Sequence, residues 1–145
     1  MKLPMSASEL VLAAVVVGGI GIAGWQLFGS GGSSGRAAAA IKLPDFSAQA
    51  LAGRSAFDAN CLVCHSQNAA GTALGPPLMH DIYNPGHHPD QSIASAVRRG
   101  VPQHHWRFGD MPPQPQVSDE QLAQIVPYMR ELQQANGILY RAHQM

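Results

Sequence analysis

The feature that most constrains this chain is a pair of cysteines, Cys61 and Cys64, followed directly by a histidine in the run Cys-Leu-Val-Cys-His. They are the only 2 cysteines among 145 residues, so the chain has no disulfide framework and cannot form a four-thiolate zinc or iron–sulfur site by itself. Cysteines at i and i+3 on a helix lie on one face. The two thiols are therefore expected to act together on one bound group.

Cys-x-x-Cys-His is the attachment signature of c-type haem. Both thiols can reach the two vinyl groups along one edge of a porphyrin, and the residue that follows can point at the iron. We therefore predict one covalent haem c, with Cys61 and Cys64 as its thioether attachment points and His65 as an axial ligand of the iron.

Two other kinds of site share the first four letters of this motif. A zinc site would need two histidines at finger-like spacing, whereas His80 and His87 are separated by six residues. A thioredoxin-type redox pair would need the strands of a βαβ unit, and the sequence carries no strand signal. Both alternatives are therefore disfavoured.

A second axial ligand is predicted at Met111, in the run Gly-Asp-Met-Pro-Pro. Pro112 disfavours a helical conformation at the residue before it, so the thioether should lie in an extended loop. A His/Met pair raises the reduction potential of the iron and leaves no position for a substrate. The alternative is that Met111 only fills a gap in the core, as methionines often do.

The segment between these two ligands is rich in histidine, at His80, His87, His88, His104 and His105. Three interpretations stay open. One of the last two histidines could replace Met111 and give bis-histidine ligation. The pairs His87-His88 and His104-His105 could hold a second metal, copper or zinc. The histidines could also be exposed loop residues or contacts of the haem propionates.

Composition limits the class of protein. The formal net charge is zero, with 9 basic and 9 acidic residues, so no field of one sign is available to attract nucleic acid. Once an apolar N-terminus and a linker are set aside, roughly 90 residues remain, enough for one small domain. A domain of this size is only marginally stabilised by burial, so an apolar cofactor would add core volume.

The N-terminal part predicts a membrane anchor. After a tail at residues 1–9, residues 10–28 are apolar and uncharged, and as a helix they would span about 28 Å, close to the thickness of a bilayer core. The alternative is a cleaved signal peptide, but the apolar part of such peptides is about 7 to 15 residues long. Residues 29–49 begin with glycine and serine and are predicted to form a flexible linker.

The remainder is predicted to be an all-α domain at residues 50–138, followed by a C-terminal tail at 139–145. The first helix is expected from about Ser47 to His65 and the second from about Pro89 to Arg99. The last begins at Ser118, where Gln121 completes a capping-box signature, and ends near residue 136. Because a proline interrupts the helical hydrogen bonds, we expect a kink at Pro127.

Four signals in this order resemble the class I monohaem cytochromes c over roughly Leu51 to Ile138. They are the Cys-x-x-Cys-His run, Gly75-Pro76-Pro77-Leu78, the Met111-Pro112 loop and the terminal helix that carries Tyr128. The resemblance implies that Gly53 and Phe57 pack across Ile125 and Tyr128. It also implies that the Pro76 carbonyl accepts a hydrogen bond from His65 Nδ1 and that Leu78 packs on the haem.

The resemblance further implies an electron carrier rather than an enzyme. Haem of this family is attached after export, so the expected location is a bacterial-type cytoplasmic membrane, crossed once, with the haem domain on the periplasmic side. The expected partners are the membrane and a redox protein or a complex of a respiratory or photosynthetic chain. A peroxidase-like enzyme would require Met111 to be absent from the iron, and a copper-handling module would require a second metal.

Overall fold

The computed structural model describes residues 40–142, which form four α-helices joined by turns. The helices are α1 (Ala48–Asn60), α2 (Leu62–His65), α3 (Asp90–Arg99) and α4 (Asp119–Ala135). Two short 3-10 turns lie at Gln67–Ala69 and Asp81–Tyr83. Among residues 40–142 the only extended pairing is an isolated antiparallel bridge between Val101 and Met111, which agrees with the predicted all-α domain.

The predicted tail at 1–9 and anchor at 10–28 lie outside the described residues, as does most of the predicted linker at 29–49. Within residues 40–142, none of the helices has the length and apolar character needed to cross a membrane.

Helices α1 and α4 pack directly against each other through Gly53. A Cβ atom at this position would lie 1.9 Å from the backbone oxygen of Gln124 and 3.0 Å from the nitrogen of Ile125, so only glycine allows this approach. One turn further along α1, the ring of Phe57 lies 5.5 Å from that of Tyr128, centroid to centroid. The contact implied by the resemblance is therefore present, and both aromatic rings are buried in the core.

Helix α4 begins with the predicted capping box. Ser118 Oγ accepts a hydrogen bond from the Gln121 backbone nitrogen at 3.1 Å, and the Ser118 nitrogen donates to Gln121 Oε1 at 3.0 Å. The helix continues through Pro127 to Ala135. The kink at this proline stays a prediction.

The predicted single helix from Ser47 to His65 is wrong in one respect, because it is divided at Cys61. Ser47 caps α1 as expected, its hydroxyl accepting from the nitrogen of Ala50. At Cys61 the backbone stays in the right-handed helical region but departs from ideal helical angles, with φ −118° and ψ −17°. The Cys61 nitrogen still donates to the Phe57 oxygen at 2.7 Å, and the His65 nitrogen donates to the Cys61 oxygen at 2.9 Å, so α2 follows without an intervening loop.

The segment at residues 41–46, which the prediction places in the linker before residue 50, is packed against the core. Ile41 and Phe46 lie against the core, and the Phe46 ring is 5.4 Å from that of Tyr128. The backbone of Lys42 makes two hydrogen bonds to one side chain. Its nitrogen donates to Asn136 Oδ1 and its oxygen accepts from Asn136 Nδ2, each at 2.9 Å. Apolar packing and hydrogen bonds thus both hold this stretch against the core.

Arg141, which the prediction places in the C-terminal tail after residue 138, also contacts the rest of the described chain. Arg141 pairs with Asp81 at 3.1 Å, and its backbone oxygen lies 1.8 Å from where a Cβ atom on Gly86 would be. The first part of the predicted tail at 139–145 therefore lies on the domain surface, against the turn that precedes α3.

Candidate functional site

The predicted site residues converge on a cavity of about 610 Å³. Five of the six line it, namely Cys61, His65, Pro76, Leu78 and Met111. The sixth, Cys64, is exposed and does not line the cavity. The cavity lies between α2, α3, α4 and the loop that carries Met111.

His65, the last residue of α2, is buried, with 8% of its surface exposed. Its Nδ1 lies 3.0 Å from the backbone oxygen of Pro76. A carbonyl oxygen can only accept, so Nδ1 carries the proton and Nε2 keeps the lone pair that a metal needs. Burial lowers the pKa of His65, with the Pro76 hydrogen bond acting in the opposite direction, and the neutral ring is the form that binds metal.

The loop after α2 places Pro76 over the imidazole by folding back on itself. The Gly71 nitrogen donates to the His65 oxygen at 2.7 Å, and the Leu78 nitrogen donates to the Ala69 oxygen at 2.8 Å. Gly71 has φ +86°, and a Cβ atom there would lie 2.6 Å from the nitrogen of Pro77. Glycine is therefore required for the tight turn that orients His65.

The two cysteines differ in their surroundings. Burial, followed by the charges of Cys64 and Asp58, raises the pKa of the Cys61 thiol to about 11. Redox-active and metal-binding cysteines have a lowered pKa, so this thiol does not have the character of a reactive thiolate. Cys64 lies beside the next loop, because its backbone oxygen accepts from Thr72 Oγ1 at 2.7 Å. The raised pKa of Cys61 disfavours the thioredoxin-like alternative.

Met111 lies in an extended loop, as Pro112 predicts. Its nitrogen donates to the Val101 oxygen and its oxygen accepts from the Val101 nitrogen, each at 2.9 Å. Gly100, which ends α3 with φ +73°, allows this pairing, since a Cβ atom there would lie 2.3 Å from the Met111 oxygen. The half-buried thioether is thus attached to the end of α3 through the backbone and faces the same cavity as His65.

The loop from Gly100 to Met111 is closed by side chains as well. Gln103 donates from its nitrogen to Asp110 Oδ1 at 2.9 Å, and its Oε1 accepts from the Gly109 nitrogen at 2.7 Å. Across the cavity, Trp106 Nε1 donates to the hydroxyl of Tyr83 at 2.9 Å. This bond joins the loop to the turn before α3, and both aromatic residues line the cavity.

Four of the five histidines of the segment also line the cavity, namely His87, His88, His104 and His105. His80 does not. Its ring packs edge-on against Trp106 with centroids 5.2 Å apart, and its Nδ1 accepts from the Ile82 nitrogen at 3.2 Å, which caps the Asp81–Tyr83 turn.

Sequence reasoning missed Arg130, which connects α4 to the segment before α3. Its guanidinium donates to Asp90 Oδ1 at 2.7 Å, to the His88 oxygen at 2.5 Å and to Gln133 Oε1 at 2.6 Å. Gln133 itself is 1% exposed and lines the cavity. The available signal was the position of both polar residues beside the apolar face of α4.

The residues of the cavity fit a covalently attached haem. Its volume lies within the range of about 300–1,000 Å³ that holds cofactors. Its lining combines apolar side chains with one imidazole whose tautomer is fixed, one thioether and one cysteine of the attachment pair. This donor set, of nitrogen and soft sulfur, is typical of a low-spin haem iron.

Comparison with known proteins agrees with this chemistry. A family model for cytochrome c matches residues 50–133, more than half of the chain, and that range contains all six predicted site residues. No curated protein and no solved structure matches the chain. The chain therefore belongs to the cytochrome c family, and it is a haem electron-transfer protein that carries covalently bound haem c.

Proposed function

We propose that this cytochrome is a membrane-tethered carrier of single electrons in which His65 and Met111 are the two axial ligands of the iron. The observation that carries the proposal is that both side chains line one cavity, while His65 Nδ1 is engaged by the Pro76 oxygen at 3.0 Å. The imidazole is thereby left with only Nε2 as a ligand atom.

Haem supplies a one-electron couple whose potential depends on its axial ligands and its surroundings. The residues of this chain provide both the axial ligands and the surroundings. The Pro76 hydrogen bond orients the His65 ring and raises its basicity. The Met111 thioether is a soft ligand that favours the ferrous state. With both axial positions filled by the protein, electrons leave by outer-sphere transfer and no substrate binds the iron.

The surface around the attachment point supports exchange of electrons with another protein. Leu62, Val63 and Leu74 are 39%, 72% and 63% exposed. Leu74 is joined to the motif through Thr72, whose Oγ1 accepts from the Leu74 nitrogen at 2.9 Å and donates to the Cys64 oxygen at 2.7 Å. Exposed apolar side chains beside the haem suit a transient contact with a redox protein or a complex of a respiratory or photosynthetic chain.

The proposed location is a bacterial-type cytoplasmic membrane with the haem domain on the periplasmic side. Support comes from the apolar, uncharged sequence of residues 10–28 and from the attachment of haem after export. Fractionation of cells that make the full chain should place the haem with the membranes, and a form without residues 1–28, exported by a cleavable signal, should be soluble. A soluble full-length cytochrome would contradict the tether.

The optical spectrum of the oxidised protein tests the axial ligands. Thioether ligation predicts low-spin iron with a sulfur-to-iron charge-transfer band, which Met111→Leu should remove while leaving the haem attached. High-spin iron without the band would favour a haem enzyme with an open position. Low-spin iron without the band would indicate that His104 or His105, and not Met111, is the second axial ligand.

A further inference from the structure

Three histidines from two separate segments meet at the edge of the cavity. His87 and His88 lie in the turn before α3, and His105 lies in the loop that leads to Met111. One ring nitrogen of each lies within 4.8 Å of those of the other two. His87 and His88 are half-buried whereas His105 is exposed, so the group is accessible from solvent on one side.

The distances within this group suit a metal ion. A tetrahedral ion with nitrogen ligands at about 2.0–2.1 Å holds those nitrogens about 3.3–3.4 Å apart. The Nε2 atoms of His87 and His105 are already 3.3 Å apart. The nitrogen of His88 completes the group within 4.8 Å, a gap that rotation of a side chain can close.

His88 is oriented in the way that metal-binding histidines are. Its Nδ1 lies 2.7 Å from the Ile82 oxygen, so Nδ1 carries the proton and Nε2 keeps the lone pair. Histidines that bind metals almost always donate their other ring N–H to a carbonyl or carboxylate. His65 and Pro76 show the same arrangement in this protein.

The backbone that carries His87 and His88 is fixed independently of their rings. Their nitrogens donate to the Asn84 oxygen at 3.0 and 2.8 Å, and the His88 oxygen accepts from Arg130. The guanidinium charge of Arg130 would oppose a nearby cation, but it is paired with Asp90 at 2.7 Å. The two histidines are thus held in place before any ion arrives.

We propose that His87, His88 and His105 form a binding site for a divalent transition-metal ion, zinc or copper(II), distinct from the haem iron. Imidazole nitrogen suits both metals, and for a given set of such ligands copper binds more tightly than zinc. Three imidazoles leave a fourth position for water.

The test uses the holoprotein after treatment with a chelator. It is equilibrated with copper(II) or with zinc, and the metal retained per haem is measured by elemental analysis. We expect one copper per haem, with nitrogen hyperfine structure from imidazole in its electron paramagnetic resonance spectrum. His105→Gln should weaken copper binding at least about 100-fold, since replacing a residue that only orients a ligand already costs about 10–100-fold.

His80→Asn is the matched control, because it removes a histidine of the same segment that lies outside the group. Asparagine can still cap the Asp81–Tyr83 turn, so copper binding should stay unchanged. His105 is exposed, so its variant should keep the thermal stability of the wild type. His88→Gln gives a second measurement on the opposite segment and should also weaken metal binding.

Two results would overturn the proposal. A holoprotein that retains no copper would show that the imidazoles serve the haem carboxylates or solvent instead. An equal loss of copper binding in His80→Asn and His105→Gln would show that the metal does not bind to this group. The charge-transfer band, recorded on the same samples, reports the Met111 assignment separately.

Discussion

The α1–α4 side of the cavity is held by packed helices, whereas the side that carries Met111 is held by turns and hydrogen bonds. On the first side, backbone meets backbone at Gly53 and the rings of Phe57 and Tyr128 are buried. On the second, the loop from Gly100 to Met111 is closed by two hydrogen bonds between Val101 and Met111 and by two hydrogen bonds of Gln103. Close packing resists small changes of volume, while loops tolerate them.

This difference suggests that the two sides contribute differently to stability and to the properties of the iron. The helical side holds His65 in one orientation and should determine most of the stability of the domain. The loop side presents Met111 and the histidines, and it should determine the properties of the iron with little effect on folding. Substitutions on the two sides should therefore change different measured quantities.

The largest loss of stability is expected for Gly53→Ala. A Cβ atom 1.9 Å from the Gln124 oxygen must push α1 and α4 apart, because the obstacle is backbone. We expect a loss of about 3 kcal/mol in the free energy of unfolding, at the upper end of the usual cost of overpacking. Gly137→Ala is the control, since its φ of +77° is strained but its Cβ meets nothing within 4 Å, and it should cost only about 1–2 kcal/mol. Equal losses in urea unfolding would contradict the close contact.

Arg130→Gln tests the connection between the two sides. The side chain is 17% exposed and donates hydrogen bonds to four groups, so its loss leaves Gln133 and the His88 oxygen without their donor. We expect a cost of about 2 kcal/mol. The matched control is Arg141→Gln, whose pair with Asp81 is 61% exposed on each side and should contribute below about 1 kcal/mol. Similar urea midpoints for the two variants would show that Arg130 does not join the sides.

Ser118→Ala tests a local contribution on the helical side. Loss of the capping box at the start of α4 should reduce the free energy of unfolding by about 1 kcal/mol. Ser55→Ala, on exposed α1 surface, should change it by less than about 0.5 kcal/mol. Thermal unfolding of the two variants side by side measures the difference, and a loss confined to Ser55→Ala would contradict the cap.

Met111→Leu should change the free energy of unfolding by less than about 1.5 kcal/mol, because the two side chains have similar volumes. Its effect should instead appear in the reduction potential, which is expected to fall once the soft sulfur ligand is removed. Potentiometric titration measures this. An unchanged potential would place the sixth ligand elsewhere on the loop side.

Sequence predicted the local parts of the structure and missed those that depend on long-range contacts. The capping box at Ser118 and the extended conformation at Met111 follow from immediate neighbours, so both were found. Glycine at position 53 became informative only through its resemblance to a known helix contact. The Cys61 break did not follow from helical periodicity, since hydrogen bonds on both sides of it are kept.

The packed segment before α1 was missed for a different reason. The residues before it are rich in alanine and glycine, a composition typical of a linker. The partners of Ile41 and Phe46 lie far along the chain, in the core and on α4. The proximity of His87 and His105 depends on the folding of the loop, because no spacing in the sequence indicates that these two segments meet. Arg130 was missed because its partners lie on three different elements.

The assignment of Met111 to the iron is tested most directly by the proton spectrum of the reduced holoprotein. A methyl group held over a porphyrin is shielded by the ring current, so one of the 6 methionine methyl signals should lie far upfield. We expect this signal in the wild type and its disappearance in Met111→Leu. A wild-type spectrum without a shielded methionine methyl, or one whose shielded signal persists in the variant, would contradict the His65 and Met111 ligand pair.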